Sequence, residues 1–102
     1  MRADAGLAEF ETRAAEAAGM LKLLANERRL KILCRLSTER EMSVGALAQA
    51  VGLGQSALSQ HLARMREEGL VATRRDAQTV FYRVADKNVA RMLSLLKRIY
   101  CP

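Results

Sequence analysis

The sequence predicts a mainly α (α+β) fold of five helices and one β-hairpin, one domain over residues 1–102. Three observations predict it. Apolar residues recur at helical spacing in segments that open on a capping residue. Two of those segments are separated only by Gly52-Leu53-Gly54. Beyond residue 69 the period changes, and two runs rich in β-branched and aromatic residues flank a short polar stretch.

Taken in order, residues 5–24 are rich in Ala, Glu and Leu and read as a helix interrupted at Gly19. Asn26 caps a second helix over 26–37, NERRLKILCRL, which stops before Ser37-Thr38. Ser43 caps a third over 43–51, VGALAQAV, ended by Gly52. The fourth, 55–68, reads QSALSQHLARMREE and closes on Gly69. Helix, three-residue turn, helix is the spacing of a helix-turn-helix. The runs LVATRR and TVFYRV then form a hairpin over 70–84, turning at Asp76-Ala77-Gln78. Asp86 caps a last helix over 86–100, with Val89, Met92, Leu93, Leu96 and Ile99 on one stripe, and the single proline, Pro102, follows it. A hairpin directly after a helix-turn-helix is a wing, so the expected fold is a winged helix-turn-helix.

Charge narrows the function. The chain carries 17 Lys and Arg against 11 Asp and Glu, a net +6. Arg2 and Arg13 against Asp4, Glu9, Glu11 and Glu16 leave −2 on residues 1–20, hence +8 on residues 21–102. A polyanion such as double-stranded DNA would dock on that body. No secretory pattern and no membrane-length apolar run is present, so the expected location is cytoplasmic, with no membrane partner and both cysteines as thiols. With one histidine and no Cys-x-x-Cys, the chain offers neither an enzyme's nucleophile and base nor a cofactor or metal site.

The fourth helix has two faces. Leu58, Leu62 and Met65 share a narrow apolar one, while Gln55, Ser56, Ser59 and Gln60 fan over the other beside the small Ala57 and Ala63. Amides and hydroxyls donate and accept hydrogen bonds, as base edges in a major groove require, whereas an idle solvated face would favour Lys and Glu. His61 and Arg64 complete the expected DNA-contacting set on this helix. A lone histidine there is more often structural or phosphate-contacting than a metal ligand. Arg74, Arg75 and Arg83 of the wing are placed to reach phosphates or to be an ordinary charged strand. The first and last helices carry more apolar surface than so small a domain buries alone. Pairing them across a two-fold axis gives a homodimer that reads an inverted repeat with half-sites about 34–36 Å apart, or a multiple of that.

With those residues read, LLKLLANERRLKILCRL, MSVGALAQAVGL, QSALSQHLARMREEGLV and TRRDAQTVFYRV resemble, in order and spacing, the ArsR/SmtB family of dimeric winged-helix bacterial repressors. The resemblance covers about residues 18–101. It implies that the outer helices form the dimer interface and that the protein senses something. The Cys-x-Cys of the family's arsenic, lead and cadmium sensors is replaced here by Ser43-Val44-Gly45, and the histidines of its zinc sensors are absent from the last helix. Cys34 in ILCRL and Cys101 in RIYCP are similar to the cysteine pair of the BigR/SqrR-type subgroup, which responds to sulfide and persulfide and leaves DNA when sulfur bridges the pair. Gly54 departs from the subgroup's more frequent Ser and gives up a side-chain cap.

The chemistry of the residues bears on that resemblance. Lys31 and Arg35 flank Cys34, and Lys97 and Arg98 precede Cys101. Cations favour the reactive thiolate, while the negative end of the last helix opposes it at Cys101, so Cys34 is the expected attacking sulfur. The other reading makes Cys34 a small core residue and Cys101 a terminal thiol. A general thiol-redox or metal-responsive repressor and a non-sensing antisilencing activator remain alternatives, and a persulfide or polysulfide is the expected inducer.

Overall fold

A computed structural model describes residues 2–101. The chain runs α1 (Arg2–Thr12), α2 (Ala14–Leu24), α3 (Glu27–Glu39), β1 (Met42–Ser43), α4 (Val44–Val51), α5 (Gln55–Glu67), β2 (Val71–Asp76), β3 (Thr79–Val84) and α6 (Lys87–Tyr100). The three strands form an antiparallel sheet in the order β1-β3-β2. Pro102 lies outside the described residues.

Three of the predicted caps form as hydrogen bonds. Asn26 Oδ1 accepts from the Arg29 N–H, Ser43 Oγ from Ala46, and Asp86 Oδ1 from both Asn88 and Val89. Each satisfies N–H groups that the first turn of a helix leaves without partners. At the other end of α5, Gly69 takes φ +79°, a conformation that glycine adopts without strain. The Gly69 N–H then reaches the Arg66 carbonyl and the Leu70 N–H the Met65 carbonyl, at 3.1 and 2.9 Å, closing a Schellman motif. Leu70 and Met65 are both buried, so this turn delivers the chain into β2 with its apolar side inward.

The fold departs from the sequence expectation at several points. The N-terminal helical stretch is two helices, making six in all, and it breaks at Arg13 rather than at Gly19. Thr12 Oγ1 bonds back to the Glu9 carbonyl at 2.7 Å, a local hydroxyl contact that bends helices, whereas Gly19 lies inside α2. The second helix continues through Ser37 and Thr38 to Glu39, because the Thr38 hydroxyl donates to the Cys34 carbonyl instead of stopping the helix. A third strand, β1, joins the hairpin, with Met42 opposite Tyr82 and Ser43 opposite Phe81. Two residues are too few to show a period. Along α6, Val89 and Leu93 are fully buried, Met92 and Leu96 partly, and Ile99 is 56% exposed, in line with the excess apolar surface expected of the last helix.

One core joins the elements. Ile32, Leu33 and Leu36 of α3 meet Leu47 of α4, Leu58, Leu62 and Met65 of α5, Leu70, Val71, and Val89 and Leu93 of α6. No charged or polar side chain is buried among the described residues.

Candidate nucleic-acid interface and cysteine pair

The two faces of α5 separate as its spacing requires. Leu58, Leu62 and Met65 have no solvent exposure, while Gln55, Ser56, Ser59, Gln60 and Arg64 are all exposed. Gly54 stands at the N-cap without a side-chain hydrogen bond, as its substitution for Ser implies. His61 is half-buried and lines a cleft of about 260 Å³ with Asn26, Arg29, Gln60 and Arg64. Arg29 anchors this side of the helix. Its guanidinium donates to Glu68 at 2.7 Å and to the Leu23 carbonyl at 3.1 Å, tying α3 to the end of α5. That tie spans 39 residues, and no local spacing announces it.

In the wing, β2 and β3 pair from Val71↔Val84 to Asp76↔Thr79. Opposed residues share a sheet face, so Arg74, Phe81, Ala72 and Arg83 lie on one side and Arg75, Val80, Thr73 and Tyr82 on the other. Tyr82 and Val84 pack on the core, and Phe81 lies on the opposite face of its strand beside Arg74. The three wing arginines are not equivalent. Arg74 grips both carboxylate oxygens of Glu41 and stacks over the Phe81 ring, 4.8 Å from its centroid. That contact holds the Glu41 carboxyl below its ordinary range and Arg74 above its own. Arg75 and Arg83 are exposed and make no ion pair among the described residues. Glu41 was not among the residues the sequence singled out, and it lies 33 positions from its partner.

Cys34 of α3 and Cys101, directly after α6, lie on helices that pack against each other. Both are free thiols, Cys34 half-buried and Cys101 exposed directly after α6. Burial pushes the Cys34 thiol up, the Lys97 ammonium pulls it down, and the Cys101 sulfur pushes it up again. Both α6 groups are therefore electrostatic neighbours of Cys34. Lys31 and Arg35, the cations expected to serve Cys34, instead pair along α3 with Glu27 at 3.1 Å and Glu39 at 3.9 Å. Lys97 replaces them. Its Nζ donates to Thr38 Oγ1 at 2.9 Å, and Thr38 Oγ1 donates to the Cys34 carbonyl at 2.9 Å. No group of three or more His, Cys, Asp or Glu among the described residues could hold a metal ion, and no described helix is long and apolar enough to cross a membrane.

This winged helix-turn-helix has counterparts in known proteins. Residues 26–73 match the family described as bacterial regulatory protein, arsR family. The transcriptional activator HlyU of Vibrio cholerae serotype O1 is 54% identical over 95 residues, which cover 93% of this chain and 87% of that protein. The crystal structure of the transcriptional repressor BigR from Xylella fastidiosa superposes with a TM-score of 0.82 at 42% identity, covering 92% of this chain and 95% of that one. Reduced HlyU from Vibrio cholerae N16961 superposes with a TM-score of 0.83 at 53% identity, covering 92% and 98%.

Proposed function

This chain belongs to the arsR family of bacterial regulatory proteins and is a DNA-binding transcriptional regulator, and we propose that it represses its target until sulfur bridges Cys34 to Cys101. The observation that carries the proposal is the packing of α3 on α6, with Cys34 within electrostatic reach of Cys101. A bridge there ties the helix that supports α5 through Arg29 to the helix that exposes Leu95 and Ile99. The DNA-reading set is Gln55, Ser56, Ser59, Gln60, His61 and Arg64 of α5, with Arg74 and Arg75 of the wing. The reader is a homodimer on an inverted repeat.

The sulfur chemistry balances with a low-molecular-weight persulfide, RSSH, as co-reactant. The Cys34 thiol gives its proton to solvent, and its thiolate attacks the outer sulfur of RSSH, forming Cys34–S–SH and expelling RS⁻. The Cys101 thiolate then attacks the Cys34 sulfur and expels hydrosulfide, leaving a disulfide. A second round of sulfur transfer before closure leaves a trisulfide by the same displacement. A direct disulfide needs Cα atoms within about 7 Å, and each inserted sulfur relaxes that limit.

The test is intact mass and DNA binding measured together on the reduced protein, after glutathione persulfide and separately after hydrogen peroxide. Linkage with added sulfur and loss of DNA binding under persulfide alone is the expected result. Equal bridging and release with both oxidants makes the protein a general thiol-redox switch. Unchanged mass and binding returns both cysteines to packing. A second reading is favoured by a relative named a transcriptional activator: here the same DNA-binding surface would displace another protein from promoters, an antisilencing role without sensing. On that reading DNA binding persists when Cys34 and Cys101 are both replaced by Ser, and sulfur donors change nothing.

A further inference from the structure

We propose that Lys97 is the positioning residue of the cysteine pair: held on Thr38, its ammonium fixes α6 against α3 there and supplies the positive charge against which the Cys34 thiolate forms. This rests on the sulfur-bridge reading for the fate of the thiolate, but not for its formation.

Lys97 is tied to both cysteine-bearing segments at once. Along α6, its carbonyl accepts the Cys101 N–H at 2.8 Å. Across the contact, its Nζ donates to Thr38, which lies one turn after Cys34 on α3 and returns its own hydroxyl proton to the Cys34 carbonyl. The side chain is half-buried, and among the described residues Lys97 has no carboxylate within 4.0 Å to neutralise it. The cations beside Cys34 in sequence fail these conditions. Lys31 and Arg35 sit on α3 itself, are largely exposed and are each paired with a glutamate one turn away. The charged groups that reach Cys34 from the packed element are Lys97 and, once ionised, Cys101. Even with Lys97 in place burial holds the Cys34 thiol above its ordinary range, so its thiolate is a minor form at neutral pH, and without the cation this nucleophile is scarcer still. Cys101 is exposed at the end of α6, free to close on whatever Cys34 acquires.

The test measures the rate of iodoacetamide alkylation of Cys34 against pH, in the folded Cys101→Ser protein so that one thiol reports. Lys97→Met is expected to move the alkylation midpoint up by about half to one pH unit and to slow alkylation at pH 7 about three- to tenfold. Lys97→Arg restores the midpoint, Thr38→Val moves it part of the way, and in urea all variants alkylate alike. An unchanged midpoint in folded Lys97→Met overturns the proposal, and so does a shift that persists in urea. In the two-cysteine protein, Lys97→Met is expected to slow persulfide-driven bridging by the same factor. A shifted midpoint with no bridge formed by any variant supports the role of Lys97 and defeats the sulfur-bridge reading. Bridging at the same rate in wild type and Lys97→Met, with an unshifted midpoint, does the reverse.

Discussion

Arg40 and Ala77 hold a positive φ that favours glycine. The wing turns through Ala77 and Gln78, with Asp76 opposite Thr79, and Ala77 has φ +56° while Gln78 has no positive φ. A two-residue hairpin loop of that kind calls for glycine at its first central position. Ala77→Gly is expected to raise unfolding free energy by about 1 kcal/mol, read from urea midpoints, since relieved strain exceeds the added freedom of the unfolded chain. At Gly54 the fit is reversed: φ −67° suits any residue, nothing lies within 4 Å of an added Cβ, and Gly54→Ser is expected to add a few tenths of a kcal/mol by capping α5. Glu41 offers a prediction about binding. It holds Arg74 on the wing, and its depressed carboxyl means the ion pair is complete above the ordinary carboxylate range and is lost as pH falls through the folded value. Glu41→Gln frees Arg74 at neutral pH, so the slope of log K against log salt for DNA should steepen by about one per protomer. An unchanged slope would show that Arg74 does not reach phosphate.

At the scale of the element, α5 separates a buried face from the exposed face proposed to read DNA. Leu62→Ala empties a fully buried position and is expected to cost about 2–5 kcal/mol of stability. Gln55→Ala and Ser59→Ala remove exposed polar groups, so thermal midpoints should hardly move, while specific DNA affinity falls by about 1–3 kcal/mol for a base-contacting side chain. Affinity for unrelated DNA should change little. That division was legible in the sequence, because Leu58, Leu62 and Met65 recur at a helical period and the amides lie between them. The caps at Asn26, Ser43 and Asp86 were legible for the same local reason. What was not legible depends on partners distant in the chain. Strand β1 exists only because β3 pairs with it, and Arg74 finds Glu41 through space. Cys34 was assigned the cations beside it in sequence, yet these pair with their own glutamates and the effective one comes from α6, 59 positions after the Thr38 that holds it.

The whole molecule is drawn out more than its length requires. Its radius of gyration is 15.7 Å, against about 13 Å for a compact chain of this size, and its long axis is 55 Å. Large apolar side chains stay exposed on three helices: Leu7 and Phe10 of α1, Leu21 of α2, and Leu95 and Ile99 of α6. Between α1, α2 and the start of α6 lies an open groove of about 680 Å³, lined in part by Phe10, Met20, Leu21 and Met92. Those surfaces belong to the helices proposed to pair in the homodimer, and a two-fold axis through them would carry two α5 helices on one assembly. Leu95→Glu with Ile99→Glu places four charges across such an axis. Val89 and Leu93, which hold α6 to the core, are untouched. Each protomer should therefore keep its helical content while sedimentation equilibrium shows a monomer. Affinity for an inverted repeat should fall at least a hundredfold, which corresponds to about 2.7 kcal/mol, because one recognition helix cannot supply the contacts of two. A monomeric variant that binds the full repeat as wild type does would remove the dimer from the mechanism. Since α6 also delivers Lys97 and Cys101 to Cys34, it would then leave the sulfur bridge acting on α5 through α3 alone, by way of Arg29 and Glu68.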